Sequence, residues 1–75
     1  MEKYKNLGGG SGVAAYEIGQ ESVTVQFRDG ATYLYTSQSA GDSNLSEMQR
    51  LAVAGHGLNS FINRVVRKGY AQKLR

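Results

Sequence analysis

Residues 22–36 read SVTVQFRDGATYLYT. Across Ser22 to Arg28 the side chains alternate strictly, with Val23, Val25 and Phe27 on one face and Thr24, Gln26 and Arg28 on the other. That period of two is the pattern of a half-buried strand. Asp29-Gly30 then signals a hairpin, because the turn needs a positive φ that glycine adopts without a Cβ clash. Ala31 to Thr36 returns as a strand with Tyr33 and Tyr35 flanking Leu34. Two registers are open. A two-residue Asp29-Gly30 turn sets Phe27 against Thr32 and Val25 against Leu34, leaving both tyrosines on the polar face with Thr24, Gln26 and Arg28. A three-residue Arg28–Gly30 loop with a bulge at Gly30 sets Phe27 against Ala31 and Val25 against Tyr33, turning both tyrosines inward. A slip of one residue exchanges the two faces completely. The second register is favoured, because so small a core needs aromatic area.

The flanking segments complete the architecture. Val13 to Ile18 is apolar and aromatic and is followed by Gly19-Gln20-Glu21, a turn, so three strands form an antiparallel meander. Ser37 to Ser43 is small and polar and reads as a loop. Ser43 or Asn44 is placed to cap a helix from Leu45, in which Leu45, Met48, Leu51 and Ala52 form the apolar stripe. Gly55-His56-Gly57 stops it. A second helix follows, with Leu58, Phe61, Ile62, Val65 and Val66 on one face and Gly69 at its end. The expected fold is therefore α+β: a three-stranded antiparallel β-meander followed by two α-helices packed on one sheet face. Residues 1–12, which end in GGGSG, read as a flexible lead-in, 13–70 as the domain and 71–75 as a basic tail.

Composition narrows the chemistry. Seventy-five residues, 40% hydrophobic and 20% charged, suit one small folded domain. There is no cysteine, so disulfides, thiolate metal sites and cysteine nucleophiles are excluded together. The single histidine, His56, lies between two glycines on an interhelical turn, and Ser60 four residues on has no accompanying acid to complete a nucleophile. Glu17 and Glu21 could meet across the first turn, and nothing else supports a paired-carboxylate site. The expectation is a cytoplasmic, non-enzymatic binding module without metal or cofactor, with no membrane span or leader, monomeric or weakly self-associating.

Charge singles out one end. Residues 1–49 carry three cations against six carboxylates, whereas residues 50–75 carry six cations and no acid. Arg64, Arg67, Lys68, Lys73 and Arg75 thus form a candidate phosphate-contacting set. A solvated helix face accounts for them equally simply, since cations late in a helix complement its dipole. Tyr33 and Tyr35 join the set as stacking residues if the two-residue turn holds. Gly55 and Gly57 leave backbone near the second helix's start, where a further phosphate could dock. Tyr16 and Tyr70 read as packing residues, and Asn63 either satisfies a buried tyrosine or meets a partner.

Taken in order, Ala15-Tyr16, Val23-x-Val25-x-Phe27-x-x-Gly30, Tyr33-Leu34-Tyr35 and Gly57-x-x-x-Phe61-Ile62-Asn63-x-x-Val66-Arg67-x-x-Tyr70 resemble the KTSC domain. That short bacterial domain is named for its occurrence at the C-terminus of some lysyl-tRNA synthetases. In the family the position of Leu34 is usually polar, which also favours the inward register for the tyrosines. This chain departs from the family after the YxY motif, where Thr36-Ser37-Gln38-Ser39 replaces an aromatic residue and Val-Pro. The family has no established activity, and RNA binding is a proposal for it. Together with the basic end, which places Arg67 at the family's arginine, that makes a small RNA-binding accessory module of bacterial or phage origin the leading expectation. Five neutralised phosphates would give a log–log salt slope of roughly −3.5 on a single strand. Two other expectations stand beside it: a protein-interaction module or inhibitor acting on a larger assembly, and a small-molecule-binding oligomer.

Overall fold

The hairpin at residues 27–31 carries the meander. In a computed structural model that describes residues 1–75, the Phe27 N–H donates to the Ala31 carbonyl at 2.8 Å and the Gly30 N–H to the Phe27 carbonyl at 3.0 Å. Gly30 has φ +94°, and the Ala31 N–H is held by Asp29 Oδ1 at 2.9 Å. The loop is thus the three-residue form, and Val25 pairs with Tyr33 and Val23 with Tyr35.

Five antiparallel strands run in sheet order β1-β2-β3-β4-β5. They are β1 (Glu2–Lys3), β2 (Val13–Gly19), β3 (Ser22–Phe27), β4 (Thr32–Thr36) and β5 (Gln72–Lys73). Helices α1 (Ser37–Ala40), α2 (Asp42–Ala54) and α3 (Leu58–Phe61) lie between β4 and β5, and α3 continues as a π-helix over Ile62–Val66. The α+β class and the β2-β3-β4 meander follow the sequence reading. The count of elements does not, and each difference has a local cause.

Residues 1–12 were expected to be a flexible lead-in. Instead Glu2 and Lys3 pair with Tyr16 and Ala15, and Tyr4 is core, 3% exposed. Its hydroxyl accepts the Leu58 N–H at 3.2 Å, so the side chain that follows β1 satisfies the first N–H of α3. The Leu7 N–H donates to the Gly55 carbonyl at 2.7 Å. Gly55 is left-handed, φ +77°, and a Cβ there would stand 2.5 Å from Lys5 Cβ. The helix stop and the N-terminal segment therefore close on each other. The same contacts take one donor from the phosphate site expected at Gly55 and Gly57, since the Tyr4 hydroxyl accepts the Leu58 N–H.

Ser37–Ser43, read as a loop, contains α1. Thr36 and Ser39 form a reciprocal capping box: the Ser39 N–H donates to Thr36 Oγ1 at 3.1 Å and the Thr36 N–H to Ser39 Oγ at 3.0 Å. Helix α2 accordingly starts at Asp42, not Leu45. Asn44 does not cap it but turns back, its amide donating to the Ala40 carbonyl at 2.9 Å. Gln72–Lys73, assigned to a tail, pair with Leu34 and Tyr33 of β4.

The core lies between one sheet face and the helices. Val13, Tyr16, Val23, Val25 and Tyr35 meet Leu45, Met48, Ala52, Leu58, Ile62 and Val66. Val65, expected on that face, is 51% exposed. The cause is the π-helix, whose wider i→i+5 turn, seen in the Arg67 N–H to Ile62 carbonyl bond of 2.6 Å, sets Leu58, Ile62 and Val66 in line at steps of four. In a regular α-helix Val65 would share their stripe.

Tyr4→Ala should therefore lower unfolding stability by about 3–4 kcal/mol, the cost of truncating a buried aromatic. Tyr4→Phe should cost about 1–2 kcal/mol, because it leaves the Leu58 N–H without its partner. Urea unfolding of both variants checks this; a free lead-in would leave the midpoint unchanged.

Candidate functional site

Where the hairpin tip meets the end of the π-helix, the surface opens into a groove of about 580 Å³. Its floor is aromatic. Phe27 and Tyr33 are cross-strand neighbours whose rings meet edge to face at 5.8 Å, and Tyr70 tilts over Tyr33 with centroids 4.7 Å apart and 49° between planes. Tyr33 and Tyr70 are half-buried, each presenting part of a ring to the opening. The rim is cationic: Arg28 comes from the hairpin loop, and Arg67 and Lys68 from the residues after the π-helix. Lys73 of β5 adds a fourth cation, its Nζ 5.8 Å from the Tyr33 ring centre. Asp29 is the one carboxylate among the lining residues.

Three segments converge because the chain turns sharply after Val66. Arg67 has φ +39° and ψ −105°, a region that side chains other than glycine avoid. Two residues on, a Cβ on Gly69 would meet the Val66 carbonyl oxygen at 2.9 Å and that of Ser39 at 3.3 Å, so only glycine lets the chain pass this close to α1. The turn delivers Tyr70 to the floor. It also leaves Asn63 and Arg67, four apart on one flank of the helix, on the groove wall.

Of the residues singled out from sequence, the structure brings together Arg67, Lys68, Lys73 and Tyr33. Arg64 and Arg75 are exposed and lie outside the groove lining. Tyr35 is corrected: at 1% exposed it is among the most buried residues and cannot serve as a stacking platform. The three-residue loop turned both tyrosines inward, and Tyr35, although it borders the groove, offers almost no surface to it. Burial pushes its phenol up from 10.0 to about 12, with charge on Tyr33 and Tyr70 adding to the effect. No hydrogen bond joins Asn63 to a tyrosine. Phe27, Asp29 and Tyr70 were not anticipated as site residues, and Arg28 only as the cation beside an outward-facing pair of tyrosines. Phe27 and Tyr70 looked like plain packing, and the fold alone brings the hairpin tip to the helix end.

A smaller cleft of about 250 Å³ lies next to the groove, past Gly12, where Gly8–Gly10 face His56, Asn59 and Ser60. No carboxylate lines it, so nothing orients the imidazole as a base. No group of three or more His, Cys, Asp or Glu side chains gathers anywhere, and no helix is long and apolar enough to cross a membrane. No family model, curated protein or solved structure matches the chain.

Two outcomes follow from this geometry. In absorbance titration, one tyrosine should ionise near pH 12. Because the unfolded chain releases that proton from about pH 10 and the native state does not, stability holds below pH 10 and falls by about 2–3 kcal/mol by pH 12. Tyr35→Phe should abolish that ionisation. Second, Arg67→Gly should melt at an equal or higher temperature than the parent. A backbone strain of about 1–3 kcal/mol is relieved against the roughly 0.5–1 kcal/mol that glycine costs in entropy. Differential scanning calorimetry reads the change.

Proposed function

We propose that this protein is a small non-enzymatic binding module of the KTSC type that holds single-stranded RNA across the groove between the hairpin tip and the π-helix. The observation that carries the reading is the pairing of an aromatic floor, Phe27, Tyr33 and Tyr70, with the cations Arg28, Arg67, Lys68 and Lys73 around it. Single strands are bound by this combination, a face for an unstacked base and charges that track the phosphates. A duplex keeps its bases stacked and offers the tyrosines nothing. The phosphate contacts position the strand without reading sequence.

The groove also refines which charges matter. Arg67 and Lys68 share the rim with Arg28, and Lys73 overhangs Tyr33, whereas Arg64 and Arg75 stand apart. A second reading, protein docking, draws on a different surface: Met1, Ile18 and Val53 are exposed apolar residues lining one shallow depression at the β2–β3 turn end. Its signature is a complex that survives nuclease and high salt.

Fluorescence anisotropy with a labelled single-stranded RNA separates the two. Binding should be micromolar or tighter at low salt, and its log–log salt slope should be roughly −3 for four neutralised phosphates. The double variant Arg67→Glu, Lys68→Glu should lose at least tenfold in affinity, while Arg64→Glu changes it by less than threefold. Equal losses at all three positions, or preference for duplex, would overturn the groove as the binding surface.

A further inference from the structure

A carboxylate is out of place in a groove meant for a polyanion, and Asp29 sits in one. It lines the groove beside Arg28, Arg67 and Lys68, yet it pairs with none of them; the molecule's one ion pair is Glu47–Arg50 on α2. Part of its role is local, since Oδ1 accepts the Ala31 N–H at 2.9 Å and holds the loop. That bond needs an oxygen, not a charge, and an asparagine would supply it. A carboxylate has about four acceptor sites, and the turn uses one. Oδ2 and the second lone pair of Oδ1 remain, two acceptors side by side and exposed at the edge of an aromatic floor.

The bases differ in what they offer such a pair. Guanine presents two adjacent donors on its pairing edge, N1–H and the N2 amino group, a fork that matches both carboxylate oxygens, as guanidinium does. Cytosine and adenine offer one amino donor beside an acceptor nitrogen. Uracil flanks its single N–H with two carbonyl oxygens that a carboxylate repels. Building on the single-strand reading above, we infer that Asp29 makes the groove selective for guanine, its carboxylate taking N1–H and N2–H₂ while the ring stacks on Tyr33 or Tyr70.

The test compares three labelled nonamers: uridine throughout, uridine with one central guanosine, and uridine with one central inosine, which lacks the N2 amino group. The parent protein should bind the guanosine oligomer about tenfold tighter than the uridine one, the discrimination a bidentate base contact supplies, with inosine between. Asp29→Asn keeps the turn oxygen and removes the charge. Its affinity for the uridine oligomer should hold or rise, and its guanosine preference should collapse to within twofold. Matching melting temperatures establish that the loop survives. Equal affinity of the parent for all three oligomers, or an Asp29→Asn variant that keeps the preference, overturns guanine selectivity while leaving single-strand binding intact. Failure of every oligomer to bind at low salt overturns the single-strand reading itself, and this inference with it.

Discussion

A single residue's backbone conformation at the hairpin tip sets the face on which every aromatic residue of β4 lies. Gly30 takes φ +94°, which closes a loop of three residues and not two, and so pairs Val25 with Tyr33. Had the loop been one residue shorter, Leu34 would have faced the helices and both tyrosines the other side. The core would have lost Tyr35, and Tyr33 would have stood on the opposite face from Tyr70. The 4.7 Å Tyr33–Tyr70 contact that forms the groove floor exists only in the observed register. Sheet pairing, core packing and candidate site thus share one cause.

The hairpin and the glycine-stopped helix were legible because their signals are local. Strict alternation over residues 22–28, Asp-Gly at the tip and Gly55 after Ala54 each act within a few residues, and each appears in the structure near its expected place. What escaped the sequence depends on contacts between distant segments. Tyr4 meets Leu58 across 54 residues, and a glycine-rich stretch between residue 7 and the first long strand gave no periodicity from which to expect a docked strand. The capping box at Thr36 and Ser39 was local but disguised, since serine takes the position where glutamate or glutamine is the usual signal. The π-helix is invisible to any wheel drawn at 3.6 residues per turn, which is why Val65 was assigned to the core. Of the site, Arg67, Lys68 and Lys73 were legible from charge asymmetry alone. Phe27 and Tyr70 were not, because they come beside Tyr33 only through the fold.

The turn after the π-helix shows how locally unfavourable geometry is sustained. Arg67 occupies a conformation its side chain resists, and Gly69 passes close to the backbone of α1. Neither feature is stabilising by itself. Both are imposed because Val66 is anchored in the core on one side and β5 pairs with β4 on the other, leaving few residues in which to reverse direction. Strain at a non-glycine residue is an observation from which function is inferred, not the reverse. Here the strained residue is also the arginine at the groove wall, so the position that glycine would fill more comfortably carries a charge that glycine would remove.

In a domain this small, site and core compete for the same aromatic side chains. Tyr35 packs almost wholly in the core and only borders the groove, while Tyr33 and Tyr70 give one part of each ring to the core cluster and another to the groove. Removing either tyrosine would therefore change stability and binding together, and a loss of binding would say little about stacking. The rim separates the two. Arg67 and Lys68 are exposed and hydrogen-bond to nothing through their side chains, so reversing their charge perturbs the field over the groove with little effect on the core beneath it. Asp29 separates them more cleanly still, because the oxygen that the loop requires and the charge that a base edge would meet belong to one side chain and are divided by a single isosteric substitution.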